Sequence, residues 1–449
     1  METDRKNKKD CPELWAGEGK DLSKKSRCLS QKEFDRLDPE LVQVVVGRIE
    51  EVLPLPTVVN ALLKAANDPY ISLAQIADTI LKDQALTAKV LKIINSAYYG
   101  LTHQIVTITQ AVNLLGLEKI KNLAMAISLA DRLYHYSGLP FGRRGLWQHA
   151  QACGVATLLL AQSSGYPLPE EALIAGLLHD IAKALWAEVF PERLLAALQA
   201  MSAEGVEPLQ AEKDFLALDH PTLGALMMEK WHLPEVFREA LLHHHQNEAE
   251  LREPRSRLLC QCLYVGNLLA KLLNLGNGGH YRLSPLPAKL LQDLQVSRPQ
   301  LAALLRKLPQ AYGEFVRELE LEGGEPQHLP ALMAVLRARP VLVWREGEVS
   351  GAASLFFEAF APQVKELTLQ SWAEAVSSTG AVIFWEGLDP APMLARWQQT
   401  QPHPQAWLLL YSHRPWSPHD LPLPASGGIH LLGPDWHLEE VTKFLSRQS

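Results

Sequence analysis

Gly176-Leu177-Leu178-His179-Asp180-Ile181-Ala182-Lys183 is the stretch on which the fold of this chain turns. It sets a His-Asp doublet inside an otherwise apolar helical run. Burying a carboxylate and an imidazole among Leu, Ile and Ala is costly unless each finds a partner. The doublet therefore calls for a metal ion shared with other histidines, or for a local hydrogen-bond network. The first points to a phosphohydrolase, the second to a signalling scaffold.

Outward from the doublet, residues 37–275 are patterned as helices throughout. Ser72 and Gln75 form a capping box for a helix through Leu81. Asp83 is the N-cap of the next, with Leu86, Val90, Ile93, Ile94 and Ala97 on one stripe. Residues 107–115 and 118–129 form a helix pair joined at Gly116. A long helix over 146–163 carries His149, and one helix over 170–190 carries the doublet. Helices over 220–232 and 234–245 part at Pro234, and another apolar helix covers 257–273. Ser297 and Gln300 cap a helix that starts at Pro299.

After Glu322-Gly323-Gly324-Glu325-Pro326 the period changes. Val341-Leu342-Val343-Trp344, Ala381-Val382-Ile383-Phe384-Trp385 and Ala406-Trp407-Leu408-Leu409-Leu410-Tyr411 are short continuous apolar runs, as buried parallel strands are. Helical segments around 352–360, 372–377 and 392–399 separate them. The expected fold is multidomain: an all-α domain followed by a small, doubly wound α/β domain. The boundaries expected are a basic, disordered tail over 1–36, the helical domain over 37–321, a linker over 322–338 and the α/β domain over 339–449.

Bulk composition narrows the function classes. With 449 residues, 47% apolar and 21% charged, the chain has the make-up of a soluble globular protein. A net charge of −7 supplies no global basic face for nucleic acid. The basic residues of the tail, Arg5, Lys6, Lys8, Lys9, Lys24, Lys25 and Arg27, precede no apolar core, so no secretory signal is expected. No run approaches the about 18 apolar residues of a membrane span. The five cysteines include no Cys-x-x-Cys pair and are odd in number, which fits a reducing cytoplasm better than a disulfide framework. Cys260 and Cys262 are expected to pack.

A divalent cation in a helical domain needs imidazoles and carboxylates from several helices. The candidates are His149, His179, Asp180, His220 and the triplet His243-His244-His245. An Asp beside a His is suited to bridge two cations about 3.5–4 Å apart and activate water for attack on a phosphoester. His135, His232, His243 and His280 are read as solvated or locally capped, and Lys183 as a helix-surface lysine. The helix pair around Gly116 has a helix-turn-helix outline, but its second helix is apolar over 123–129, as a core helix would be.

Leu178-His179-Asp180-Ile181-Ala182-Lys183, with the upstream Trp147-Gln148-His149, resembles the HD superfamily of metal-dependent phosphohydrolases. Leu53-Pro54-Leu55-Pro56, Ile71-Ser72-Leu73-Ala74-Gln75-Ile76-Ala77, Asp83-Gln84-Ala85-Leu86-Thr87-Ala88-Lys89-Val90-Leu91, Asn95-Ser96-Ala97 and Ile108-Thr109-Gln110-Ala111-Val112-Asn113-Leu114-Leu115-Gly116 narrow the likeness to the HDOD domain. That resemblance implies a bacterial signalling module related to HD hydrolases, with catalysis lost or altered. It also implies a ligand set of His149, His179, Asp180, His220, His244 and His245, for Fe, Mn or Zn. Asn267 stands where the enzymes carry a late Asp, and a neutral amide is the poorer ligand for a hard cation. Gly165-Tyr166-Pro167 spells a signature of HD-related cyclic dinucleotide phosphodiesterases, but it precedes the doublet instead of following it and reads as a helix-ending turn.

The C-terminal alternation resembles a response-regulator receiver. Receivers hold Mg²⁺ with carboxylates against a phosphoryl group. Here Arg345-Glu346-Gly347-Glu348 replaces the acidic pair, Glu386 the acceptor Asp, and Gly433-Pro434 the Lys-Pro; Ser412 matches the switch hydroxyl. The resemblance thus implies a pseudo-receiver that binds a partner without being phosphorylated. The function expected is a cytoplasmic signal-transduction scaffold that binds a protein or small ligand without catalysis. The alternative is a metal-dependent phosphohydrolase acting on a nucleotide or cyclic nucleotide through Asp180.

Overall fold

The computed structural model describes residues 39–446, except 67–72, 96–98, 100, 102, 133–142, 247–250, 252, 320–327, 346–350, 368–370, 373–380, 388–389, 401–405, 413–428 and 433–434. The basic tail, Ser72, Ser96-Ala97, His135, Gly433-Pro434, the linker motif at 322–326 and most of the expected helix at 372–377 lie outside the described residues.

The amino-terminal helices are α1 (Pro39–Val52), α2 (Thr57–Ala66), α3 (Leu73–Leu81), α4 (Gln84–Ile94), α5 (Ile108–Leu115) and α6 (Leu117–Arg132). Asp83 caps α4 by accepting the Leu86 amide, and Thr107 caps α5 by accepting that of Gln110. Gly116 joins α5 to α6 at φ +90°, a conformation that favours glycine. Residues 123–127 of α6 are buried core, as their apolar run requires.

Then follow α7 (Arg143–Ser163), α8 (Pro169–Leu178), α9 (Ile181–Val189), α10 (Pro191–Ala203), α11 (Pro208–Leu216), α12 (His220–Lys230), α13 (Glu235–His243), α14 (Pro254–Leu272), α15 (Ala288–Asp293), α16 (Arg298–Glu318) and α17 (Leu329–Ala338). The single helix expected over 170–190 is instead two. His179 and Asp180 form the turn between α8 and α9, with Asp180 at φ −106°, ψ 10°. Breaking the helix there turns both side chains inward, where an uninterrupted helix would set adjacent residues about 100° apart. Gly165-Tyr166-Pro167 is the turn after α7, with the Tyr166 hydroxyl donating to Glu171 at 2.7 Å. The capping box of Ser297 and Gln300 opens α16.

Beyond α17 the chain forms β1 (Val341–Arg345), α18 (Ala352–Phe360), β2 (Val364–Glu366), β3 (Val382–Gly387), α19 (Ala391–Gln399), β4 (Trp407–Ser412), β5 (Ile429–Leu432) and α20 (Leu438–Ser446). The sheet is parallel in the order β2-β1-β3-β4-β5. This is the doubly wound order whose ligands sit at the switch point between β1 and β3. Val364-Lys365-Glu366 escaped the sequence reading because a short polar edge strand has no apolar run.

Strand alternation divides the core. Val341, Val343, Phe384, Leu409 and Tyr411 face the helical domain and join its core, with α18 between. Leu342, Ile383, Trp385, Leu408 and Leu410 pack on the other side with Met393, Leu394 and Trp397 of α19. The α/β unit is therefore fused to the helical domain through a shared apolar core.

Candidate metal centre

Two glycines assemble the centre. A Cβ on Gly176 would stand 2.5 Å from the Cα of Gly154, so α7 and α8 touch backbone to backbone. His149 lies just before that crossing on α7 and His179 just after it, past the end of α8. Their rings meet edge-on at 5.2 Å. Pro221, one residue into α12, and the end of α13 bring in His220, His244 and His245.

The six candidate residues converge as two groups, His149/His179/Asp180 and His220/His244/His245. Asp180 joins them. Its Oδ2 lies 3.4 Å from His179 Nε2 and 3.8 Å from His149 Nε2, while its Oδ1 lies 3.2 Å from His220 Nε2. In the second group His220 Nε2 is 3.2 Å from His244 Nε2 and 3.0 Å from His245 Nε2. His243, the first of the triplet, turns away and meets Gln246, as a locally bonded histidine should.

Every ring except that of His245 is oriented from behind. His179 Nδ1 donates to the Gly176 carbonyl at 2.8 Å, and His244 Nδ1 to that of Leu241 at 2.6 Å. His149 bonds the Leu275 backbone. Glu212 holds His220 twice, accepting from its ring Nδ1 at 2.7 Å and from its backbone amide at 2.8 Å. Such outer partners fix the tautomer and aim the Nε2 lone pair at the centre. The Nε2 atoms of His149 and His179 have no hydrogen-bond partner.

Burial keeps these imidazoles neutral. His149 and His179 are pushed down to about 4 and His244 to about 3, in each case by burial first. Burial alone would raise Asp180, but His179, Lys183, His220 and His149 outweigh it and hold its carboxyl well below the usual range. Burial lifts Glu212 to about 8.

This donor set fits a divalent cation. Nitrogens about 2.0–2.1 Å from one ion stand roughly 3.0–3.4 Å apart, as His220 Nε2 stands from those of His244 and His245. Neutral imidazoles aimed lone pair to lone pair repel unless a cation stands among them, and leaving a buried polar atom unpaired costs about 1–3 kcal/mol. Imidazole with carboxylate suits Zn or Fe better than Ca or Mg.

Lys183 is not the surface lysine the sequence suggested. It is buried, 2.9 Å from Asp180 Oδ1, and donates to the Gly278 carbonyl at 2.7 Å. The reason is the break at the doublet, which rotates the first turn of α9 into the core. His280 also has partners: its Nε2 lies 3.4 Å from Lys271 Nζ and its Nδ1 accepts the Arg282 amide. Lys271 is buried on α14 and held down to about 8, first by burial and then by Lys183. Asn267, one turn earlier, is buried with its amide oxygen unpartnered. Cys260 and Cys262 are buried thiols pushed up to about 12 by burial and stand outside both donor groups, as expected.

Glu212, Lys271 and Gly278 escaped the sequence reading. Glu212 had a signal: on α11 it shares the buried face of Pro208, Ala211 and Leu216. A carboxylate on such a stripe needs a partner. Gly278 is set by tertiary contact alone, since a Cβ there would meet Asp180 Oδ2 at 2.9 Å and His149 Cδ2 at 2.8 Å.

In the α/β unit, Glu386 is buried near the end of β3. Its two oxygens accept the amides of Ala353 and Ser354 at 3.0 and 2.9 Å. Arg298 of α16 donates to the Gly351 carbonyl, Ser354 and Glu358, closing the crevice from the helical side. Ser412 is buried at the end of β4, beside Gly387.

The centre gathers oriented histidines around one Asp within the helical domain. Residues 52–247 match the HDOD domain family, and the chain carries an HDOD domain there. A protein of Treponema pallidum is 27% identical over 207 residues, 46% of this chain and 40% of that protein. The match thus spans well under half of that relative. An HDOD domain protein of Geobacter sulfurreducens has a structure similar to this one, at 24% identity and a TM-score of 0.45, over 66% of this chain and 95% of its own. A candidate phosphohydrolase of Shewanella amazonensis is similar at 22% identity and a TM-score of 0.46, over 62% and 97%. Among the described residues no helix is long and apolar enough to cross a membrane.

Proposed function

We propose that this protein is a bacterial signal-transduction protein whose HDOD domain binds a divalent cation of the Fe, Mn or Zn class. His149, His179 and Asp180 hold it on one side of the centre, and His220, His244 and His245 on the other, with Asp180 placed to bridge. The observation that carries this reading is the set of rings held by outer partners with inward-facing Nε2 atoms, two of which have no hydrogen-bond partner. The α/β unit serves as a receiver-derived scaffold that is not phosphorylated.

Bound cation would lower the pKa of water and polarise a phosphoryl oxygen. The chain's own residues orient and enclose. Glu212 and the Gly176 and Leu241 carbonyls keep the rings in register. Lys183 places a positive charge beside Asp180. Gly278 packs against Asp180 and His149 and narrows the approach to Asp180 from that side. Binding and signalling therefore rank above turnover. Hydrolysis of a nucleotide or cyclic nucleotide is the second reading, favoured by the position of Asp180 between two donor groups.

Elemental analysis of untagged protein tests the first reading. About one or two equivalents of metal per chain are expected in the wild type, and none in His179→Ala or Asp180→Ala. A metal-free wild type would sink it. Phosphoester hydrolysis abolished by Asp180→Ala would favour the second.

A further inference from the structure

The loop after α14 reads Asn274-Leu275-Gly276-Asn277-Gly278-Gly279-His280-Tyr281. It turns tightly, with Asn274, Gly276 and Gly279 at φ +48°, +72° and +98°. On its inner side it lies against the cation centre. A Cβ on Gly276 would fall 2.1 Å from the His149 backbone nitrogen, so only glycine permits this approach. The Asn277 amide donates to the Gly145 carbonyl at 2.8 Å. Gly278 covers Asp180 and His149, and its carbonyl takes the proton-rich end of Lys183 at 2.7 Å.

On its outer side the same loop is gripped by the C-terminal unit. The Asn274 amide clamps the two peptides that flank His437, donating to the Trp436 carbonyl at 2.9 Å and accepting the Leu438 amide at 2.9 Å. Asp435 accepts the Tyr281 amide at 2.8 Å, and the Trp436 amide donates to the Tyr281 carbonyl at 3.0 Å. Trp436 anchors this grip. Its buried indole packs among Phe356, Phe357, Phe384 and Tyr411, and its Nε1 donates to the Leu272 carbonyl at 3.0 Å. A cavity of about 460 Å³ borders Gly276, Asn277 and His437 and gives a displaced loop somewhere to go.

We propose that the α/β unit is a latch: residues 435–438 hold loop 274–281 shut over the His/Asp centre, and a divalent cation enters or leaves quickly only when they release it. The inference rests on the cation reading above for its consequence, but the latch itself is a property of the chain.

The test uses the full chain, with Asp435→Ala and Asn274→Gly as latch variants and Lys443→Ala as a control on the same unit. Hydrogen–deuterium exchange of the Asn277 and Gly279 amides reports the loop, and β3 amides report the fold. Mn²⁺ uptake, followed by its electron paramagnetic resonance signal, reports entry. Both latch variants should speed loop exchange and Mn²⁺ uptake by about tenfold or more, the scale of one lost hydrogen bond to a buried partner, with β3 protection and the control unchanged. Loop exchange that stays at the wild-type rate in Asn274→Gly overturns the latch. Should no form bind Mn²⁺ while loop exchange still accelerates, the cation reading fails and the latch stands.

Discussion

At the end of β3, Glu386 gives each carboxylate oxygen to a backbone amide of α18, whereas in the helical domain the Nε2 atoms of His149 and His179 have no hydrogen-bond partner. Both regions bury a carboxylate deep in the molecule. In the first, the chain completes its own polar groups: Glu386 caps a helix start, and Arg298 fills the crevice that a doubly wound sheet otherwise offers to a ligand. In the second, every ring but that of His245 has an outer partner, while the inner faces are incomplete. A buried charge satisfied within the chain is architecture. In the reading proposed above, a set of oriented lone pairs that repel one another is a receptor for a cation. Buried carboxylates serve opposite ends in the two regions, and their hydrogen bonds separate them.

Paired substitutions sharpen this contrast most. Asp180→Asn keeps the shape and an oxygen for Lys183 but removes the charge. It should weaken cation affinity by more than about 100-fold, beyond what loss of an outer-shell partner causes, and, because it leaves the buried Lys183 ammonium without its carboxylate, it should also lower the stability of the metal-free protein in urea unfolding. Glu386→Ala should act on stability alone. It strips two charge-assisted bonds from the start of α18 and should cost about 3 kcal/mol in urea unfolding, with metal content unchanged; Glu386→Gln should recover part of that. Equal effects of the two substitutions on both readouts would erase the distinction.

Acid should find the helical centre next. His149 and His179 titrate at about 4 and His244 at about 3 in the fold, against about 6.5 in the unfolded chain. The unfolded chain therefore binds more protons below pH 6.5, and the stability these neutral rings contribute is lost as pH falls from about 6.5 through 4. Glu212, held at about 8, acts in the opposite sense, losing stability as pH rises from about 4.5 towards 8. The melting temperature of metal-free protein should fall on acidification below pH 6.5, and less steeply in His149→Gln. An unchanged slope in that variant would mean that His149 is not held neutral.

The helical frame was legible because its signals are local. Asp83, Thr107, Gly116, Ser297 and Gln300 act within one turn of their own position. The six donors were legible as residue types, but not as a place. Their convergence depends on Gly154 against Gly176, a contact between residues 22 positions apart that leaves no period in the sequence. The break at His179-Asp180 was hidden for a related reason. Leu, Ile and Ala on both sides favour one helix, and only the centre rewards opening it. Lys183 was misplaced as a consequence, and the Gly276–Gly279 loop needed the C-terminal unit in view before it meant anything.

The smallest effect expected is none at all, and it bears on the other half of the comparison. Incubation with acetyl phosphate and Mg²⁺ should leave the intact mass of the chain unchanged. In-line attack needs a carboxylate oxygen free to approach phosphorus and a Mg²⁺ site beside it. Both Glu386 oxygens already accept amides of α18, and Arg298, bonded to Gly351, Ser354 and Glu358, stands on the same approach. Opening that crevice would mean parting α18 from α16 and exposing Phe356, Phe357 and Trp436, which are fully buried. The apolar cost of doing so, about 1.5–3 kcal/mol for each large side chain, exceeds what a phosphoryl group at a surface-poor site would return. Stoichiometric phosphorylation lost in Glu386→Gln would therefore break the comparison at its root, because it would show the α/β unit to be a working switch and not a finished piece of architecture.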